Sequence, residues 1–156
     1  QIKAVGAQAI AHALIKCQTI RELDLRLNRL GDEGGQAIAK ALLKNSTLLR
    51  LNLASNNMTE PTAALIANSI VANKTLRYLD LSSNRLGPDG GKSIQDAMQD
   101  NKTLIELDLR LTDCGQESEY VINQMLKANY ELDRENRIEV QNNLHKAHNR
   151  TFSHIF

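Results

Sequence analysis

Tryptophan is absent from the 156 residues, and aromatic residues make up 3% of them. The apolar 42% is therefore almost wholly aliphatic. A core must be built from layers of Leu, Ile, Val and Ala, and no aromatic cofactor box can be assembled. Charge of one sign is equally missing. The net charge is +1, with 24% of residues charged and both signs mixed, which removes the electrostatic footprint of a nucleic-acid or anionic-membrane binder. No run approaches the roughly 18 apolar residues that a membrane span needs, so a soluble chain is expected. Histidine is scarce: His12 stands alone and the other three lie near the C-terminus. His145 and His148 can share a helix face, yet no third ligand is spaced to complete a metal site. No Ser/His/Asp constellation can be drawn either. Neither catalysis nor a cofactor, a metal or a small-molecule substrate is expected.

What the chain does contain is a period. Leu76, Leu79, Leu81, Asn84 and Leu86 recur 28 residues earlier as Leu48, Leu51, Leu53, Asn56 and Met58, and earlier again as Ile20, Leu23, Leu25, Asn28 and Leu30. One step forward gives Leu104, Leu107, Leu109, Thr112 and Cys114. A fixed period of this length without insertions is the signature of a solenoid. The Leu-x-x-Leu-x-Leu segment suits a short strand and the second half of each unit an amphipathic helix. The expectation is an α/β solenoid with parallel strands on the concave side and helices on the convex side. It divides into a truncated unit at 1–19, complete units at 20–47, 48–75 and 76–103, and a closing unit at 104–129, with a C-terminal helical cap or tail at 130–156. Because Ile2 aligns with Leu30, the chain opens in mid-repeat and reads as a fragment of something longer. Cys17 and Cys114 fall three repeats apart, beyond disulfide reach, since strand steps are about 4.8 Å. Two free thiols fit a reducing, intracellular compartment.

The helix starts are marked by Asp32, by Thr59 with Pro61, and by Gly87-Pro88-Asp89. Inward faces are expected at Ala9, Ile10, Ala13 and Leu14; at Ala37, Ile38, Ala41 and Leu42; at Leu65, Ile66 and Ile70; at Ile94, Ala97 and Met98; and at Val121, Ile122, Met125 and Leu126. Asn28, Asn56 and Asn84 sit where the chain leaves each strand, and their amides can satisfy backbone groups there as a ladder. Asn-x-Ser/Thr triplets begin at Asn45, Asn57, Asn73, Asn101 and Asn149. Three of them recur with the period, so helix-end turns explain them better than glycosylation does. Past Asn129, Leu132 keeps the register, but the next core slots hold Glu135 and Arg137, so no further strand layer can form. Residues 133 to 150 instead predict a terminal helix, with Ile138, Gln141, Leu144 and Ala147 at helical spacing. It either covers the open end of the stack or leaves it.

The 28-residue period with Leu-x-x-Leu-x-Leu-x-x-Asn-x-Leu-Gly followed by a helix resembles the ribonuclease-inhibitor class of leucine-rich repeats over residues 2 to about 129. The closing segment from Leu107 to Asn129 departs from the generic pattern, with Thr112 for Asn and Gln116-Glu117-Ser118-Glu119-Tyr120 in place of a Gly-rich helix start. It is similar to the closing repeat of the leucine-rich-repeat subunit of the axonemal nexin–dynein regulatory complex, the T-complex-associated testis-expressed family. That resemblance implies a structural protein of the cytoplasm and cytoskeleton, in the axoneme of cilia or flagella, with other axonemal subunits as partners. The wider class also holds a Ran-type GTPase activator, inhibitors and immune-sensor regions. The strongly acidic tail of the GTPase activator has no counterpart in 133–156.

Two features compete for a site. Gly90-Gly91-Lys92-Ser93 has the tail of a phosphate-binding loop, but the required earlier glycine is replaced by Leu86, and the register already explains Gly90-Gly91 as counterparts of Gly34-Gly35. The concave face is the stronger candidate. Reading across the strands, its columns are Glu22, Arg50, Tyr78, Glu106; Asp24, Asn52, Asp80, Asp108; Arg26, Ala54, Ser82, Arg110; and Leu27, Ser55, Ser83, Leu111. Asp80 beside Asp108 implies a repulsion on the order of 1 kcal/mol in water, and the acidic stripe favours a basic or hydrogen-bond-donating partner. Arg26 and Arg110, with Leu27 and Leu111, flank a floor of small residues, and Tyr78 is the expected aromatic anchor.

Overall fold

Each Leu-x-x-Leu-x-Leu segment becomes a three-residue strand and each aliphatic second half a helix. This is seen in a computed structural model that describes residues 1–152, with side chains described through Lys146. The order is α1 (Ala4–Lys16), β1 (Glu22–Asp24), α2 (Gly31–Leu42), β2 (Arg50–Asn52), α3 (Glu60–Ala72), β3 (Tyr78–Asp80), α4 (Gly87–Asp100), β4 (Glu106–Asp108) and α5 (Gln116–Phe152). The strands form one parallel sheet in sequence order. The register is one full repeat per step: Leu23 pairs with Leu51, Leu51 with Leu79, and Leu79 with Leu107. The expected α/β repeat solenoid is what forms.

The core follows the same slots. Leu48, Leu76 and Leu104 are buried ahead of the strands, Leu51, Leu79 and Leu107 within them, and Leu53, Leu81 and Leu109 after them. Met58, Leu86 and Cys114 close each turn. Each buried leucine contributes roughly 1.5–3 kcal/mol of transfer free energy. Cys114 is a small hydrophobe in a leucine position, and burial pushes its thiol pKa up. Both cysteines are free.

Two asparagine ladders bind the repeats to one another. At the strand ends, Asn84 Nδ2 donates to the carbonyls of Leu53, Leu81 and Ser82, while its Oδ1 accepts the N–H groups of Asn56 and Met58 at 3.0 and 3.1 Å. At the helix ends, Asn73 Nδ2 donates to the carbonyls of Leu42 and Asn45, and its Oδ1 accepts from Thr75 and Leu76. Asn45 and Asn101 repeat the pattern. All three of these triplet asparagines are buried, which fits a structural role in the turns. The expected helix-start residue Asp32 makes no cap on its own helix. It reaches into the next repeat instead, accepting the Thr59 N–H at 2.8 Å and the hydroxyls of Thr59 and Thr62 at 2.5 Å each.

Close approach of neighbouring helices is set by glycine. A Cβ at Gly90 would lie 2.8 Å from the Ala63 Cβ, and one at Gly91 would lie 2.2 Å from the Cys114 carbonyl oxygen. These glycines are packing devices, and Lys92 turns away to Asp96 at 3.1 Å. The phosphate-loop likeness therefore has no open cradle behind it.

One inward face is corrected. On α1 the buried residues are Ala7, Ala11 and Leu14, with Ile10 half-buried, whereas Ala9 and Ala13 are exposed. The counterparts of Ala13 are Ala41, Ser69 and Ala97, which are buried. Ser69 shows why, because its hydroxyl donates to Ala39 of the preceding helix. That side of α1 has no helix beside it here.

The helix expected over 133 to 150 is not a separate element. α5 runs unbroken for 37 residues from Gln116. Its side chains from Arg134 to Lys146 are exposed, but Tyr130, Asp133, Arg134, Arg137 and Ile138 still lie beside Tyr78 and Ile105 around one hollow, so it runs past the end of the stack and covers no more of the core. At 1.5 Å per residue, the helix runs roughly 21 Å farther from residue 138 to residue 152. Its last anchor is Asp133, which forms a close ion pair with Arg77 and meets Arg137 at 2.8 Å. Ala147, His148 and Asn149 lie outside the residues whose side chains are described, and 153 to 156 lie outside the described residues. Of the expected histidine pair His145 is described and exposed, while His148 and the last Asn-x-Thr triplet fall there.

Candidate protein-docking face

Parallel strands in one register convert sequence columns into rows of neighbouring side chains about 4.8 Å apart. The first column is realised as Glu22 beside Arg50, Arg50 beside Tyr78, and Tyr78 beside Glu106. Arg50 lies over the Tyr78 ring, 3.6 Å from its centroid, and its Nε meets Glu22 at 3.5 Å. An exposed cation–π contact of this kind is worth about 0.5–1 kcal/mol, and it holds the tyrosine ring flat along the face.

The second column has a structural duty that the sequence reading did not assign. Oδ1 of Asp24, Asn52, Asp80 and Asp108 accepts the N–H two residues on, from Arg26, Ala54, Ser82 and Arg110, at 2.9–3.0 Å. Each is an Asx turn that ends the strand after three residues. The expected repulsion between Asp80 and Asp108 is also countered. Arg110 clamps Asp108 through Nε at 3.0 Å and Nη2 at 2.5 Å, and this hydrogen bonding holds the Asp108 carboxyl below the usual carboxylate range. Asp80 receives Asn52 Nδ2 at 3.1 Å. Arg26 likewise folds back on Asp24 at 3.1 Å. The two rim arginines are therefore engaged with their own strands. Glu106 has no ion-pair partner among the described residues.

Eight of the twelve expected face residues, in the first two columns, line one groove of about 380 Å³ along the strands. The other four, Arg26, Leu27, Arg110 and Leu111, stand at its upper rim. There the fourth column has an unexpected backbone. Leu27, Ser55, Ser83 and Leu111 all adopt left-handed φ, between 54° and 59°. For serine this is tolerable, but an exposed leucine in that region is an outlier. Leu27 is 70% exposed and Leu111 80% exposed. Glu119, from the first turns of α5, joins Ser82, Ser83, Arg110 and Leu111 around a neighbouring hollow. The sequence reading missed Glu119 because nothing in the repeat pattern says how α5 leans on β4.

Among the described residues no group of His, Cys, Asp and Glu is placed to hold a metal ion. No helix of the described residues is long and apolar enough to cross a membrane.

The family model described as leucine rich repeat matches residues 16–39, 44–64 and 72–94. Among solved structures, leiomodin-1 actin-binding site 2 is similar at 24% identity, covering 92% of this chain and 83% of that one, with a TM-score of 0.85. The tropomodulin C-terminal domain of Caenorhabditis elegans is similar at 18% identity, covering 88% and 83%, with a TM-score of 0.79. At these identities the likeness is one of fold. No curated protein matches the chain.

Proposed function

We propose that this leucine-rich-repeat chain is a non-catalytic scaffold that seats an element of a partner protein on its concave face. The observation that carries the reading is the pair Leu27 and Leu111, large apolar side chains held in solvent on left-handed backbone at both ends of a row whose middle is Ser55 and Ser83. Each costs about 1–3 kcal/mol relative to relaxed backbone, and neither covers any of the core. The left-handed turn recurs at Ser55 and Ser83 and belongs to the repeat; what it does not require is a leucine, and a contact outside the chain gives the two exposed leucines a purpose. Tyr78, aligned by Arg50, supplies an aromatic surface between the rims, and Asp80, Glu106 and Asp108 bias the groove toward a basic or donor-rich occupant.

The finer reading is axonemal: a structural subunit of the nexin–dynein regulatory complex that helps regulate ciliary and flagellar motility. It is supported by the segment Leu107 to Asn129, whose departures from the repeat, Thr112 and Gln116 to Tyr120, coincide with the point where the strands stop and α5 departs. A second reading is an actin contact, favoured by the similarity to a structure titled as an actin-binding site. Co-sedimentation separates them. The full chain is expected to pellet with axonemal doublets stripped of the regulatory complex and to stay in solution with filamentous actin. Pelleting with actin and not with doublets overturns the axonemal reading and supports the second.

A further inference from the structure

The sheet ends open at β4. In the earlier repeats the next strand uses the same backbone groups each time. The N–H groups of Leu53 and Ser55 donate to Asp80 and Ser82 at 2.8 and 3.0 Å, and those of Leu81 and Ser83 to Asp108 and Arg110 at 3.0 and 2.9 Å. The Arg77 carbonyl accepts from Ile105 and Glu106. The counterparts on β4, the N–H groups of Leu109 and Leu111 and the carbonyl of Ile105, have no such partner among the described residues. Beside them a groove of about 380 Å³ runs between β4 and α5, lined by three carboxylates, Glu106, Asp108 and Glu119, against one cation, Arg110, which is engaged with Asp108, with Leu107, Leu109 and Ile122 among the rest. Glu135 and Arg137, which hold the register of the next strand, are on α5 instead, which passes the Ile105 end of this edge with Tyr130, Arg134, Arg137 and Ile138 and leaves the Leu109–Leu111 end clear of it.

We propose that the β4 edge takes up an extended segment of a partner protein as a fifth strand, and that this segment alternates basic with apolar residues. A strand added in register sets every second side chain about 4.8 Å from Glu106 and Asp108, where a like charge destabilises and an opposite one stabilises. The intervening side chains continue the Leu79–Leu107 and Leu81–Leu109 rows, whose last members keep only 7% and 6% exposure, so the main chain and the charges carry more of the contact than new apolar burial does. Leu111 stands exposed at the end of the same edge. The charge pattern also decides against a second copy of this chain. Its β1 would bring Glu22 onto Glu106 and Asp24 onto Asp108. The main-chain groups of an unpaired edge supply the affinity in this mode, and the alternate side chains the selectivity.

The edge proposal stands apart from the concave-face reading, although Glu106 and Asp108 touch both surfaces. The test uses the full chain, isotope-labelled, with an eight-residue blocked peptide Thr-Leu-Ile-Lys-Leu-Lys-Leu-Arg. Its counterparts are the same peptide with Glu and Asp in place of the two lysines, and the lysine peptide methylated on alternate amides. The lysine peptide is expected to bind at least about tenfold tighter than the acidic one. It should also slow hydrogen exchange at the Leu109 and Leu111 amides by about tenfold or more, with none of the effect at Leu25, and amide methylation should abolish binding. The exposed variant Glu106→Lys should cut the preference between the two peptides to less than about threefold. Binding that survives methylation, or that leaves the Leu109 and Leu111 amides unprotected, assigns the peptide to the concave carboxylates and overturns the proposal. No binding of the lysine peptide up to about 1 mM overturns it as well.

Discussion

The inner repeats and the closing unit carry nearly the same residues at their helix ends, yet one kind turns and the other does not. Asn73 and Asn101 end their helices, and their Oδ1 atoms receive the N–H groups of the turn that follows. Asn129 holds the same slot and donates, like Asn73, to the carbonyl of the preceding ladder asparagine, Asn101, but its second partner is Leu104 rather than a carbonyl of the preceding helix, and α5 continues through it. The difference lies three to eight residues further on. After Asn73 the chain offers Leu76, Leu79 and Leu81 to the core, whereas after Asn129 it offers Leu132, Glu135 and Arg137. Leu132 stays 43% exposed. The asparagine serves whichever neighbour is present. It is the next strand's leucines that pull the chain out of the helix, because without them no burial offsets the loss of helical hydrogen bonds.

The comparison can be broken most severely at the seam between the two regions. Gly91→Ala places a Cβ 2.2 Å from the Cys114 carbonyl oxygen, which is backbone and cannot swing aside. A loss of about 3 kcal/mol is expected in urea unfolding. Gly35→Ala meets the Met58 sulfur at 2.6 Å, on a flexible side chain, and the methyl of Thr62 at 2.8 Å, which its bond to Asp32 holds in place, and should cost about 2 kcal/mol.

Next comes the ladder itself. Asn73→Ala abandons two carbonyls and two turn N–H groups in a buried site and should cost about 3 kcal/mol, whereas Asn129→Ala abandons two carbonyls beside a helix that no longer needs a turn and should cost about 1 kcal/mol. Equal losses would mean that the turn bonds contribute nothing.

Acid gives a third, smaller test. Burial acts to raise the Asp32 pKa, but the hydrogen bonds from Thr59 and Thr62 outweigh it and hold the carboxyl below its ordinary value. A depressed folded-state pKa means that the stabilisation is present above the unfolded value near 3.9 and is lost as pH falls through the folded one. Asp32→Asn should therefore flatten the acid limb of a stability profile, whereas Asn73→Ala should keep the parent's limb. The smallest effect is expected at Asp133→Asn, which weakens the last anchor of α5 to Arg77. It should lower amide protection beyond residue 133 by under about 1 kcal/mol without moving the unfolding midpoint of the repeats.

Most of the fold could be read from the sequence because a repeat samples each slot several times. Leu48, Leu76 and Leu104 vote together, and so do Asn56 and Asn84. What could not be read is what occurs once, or what crosses from one repeat to another. Ala9 and Ala13 look inward by periodicity, but burial on that side needs a preceding helix. Asp32 looks like a cap, but the hydroxyls it meets lie 27 and 30 residues away. On the face, the columns were legible and their occupants were not. Arg26 and Arg110 stand where a rim should be, yet both fold back on their own strand's aspartate. The left-handed backbone at Leu27 and Leu111 left no mark in composition, since leucine is the last residue that position suggests.

The central claim is that the concave face, not the helical one, meets the partner. It is tested by measuring binding of three folded variants to stripped axonemal doublets: Tyr78→Ala, Leu111→Ser, and the convex control Asp96→Lys. The account predicts at least about a tenfold loss for the first two and parent-like binding for the third. Parent-like binding by Tyr78→Ala and Leu111→Ser, with loss in Asp96→Lys, would contradict it.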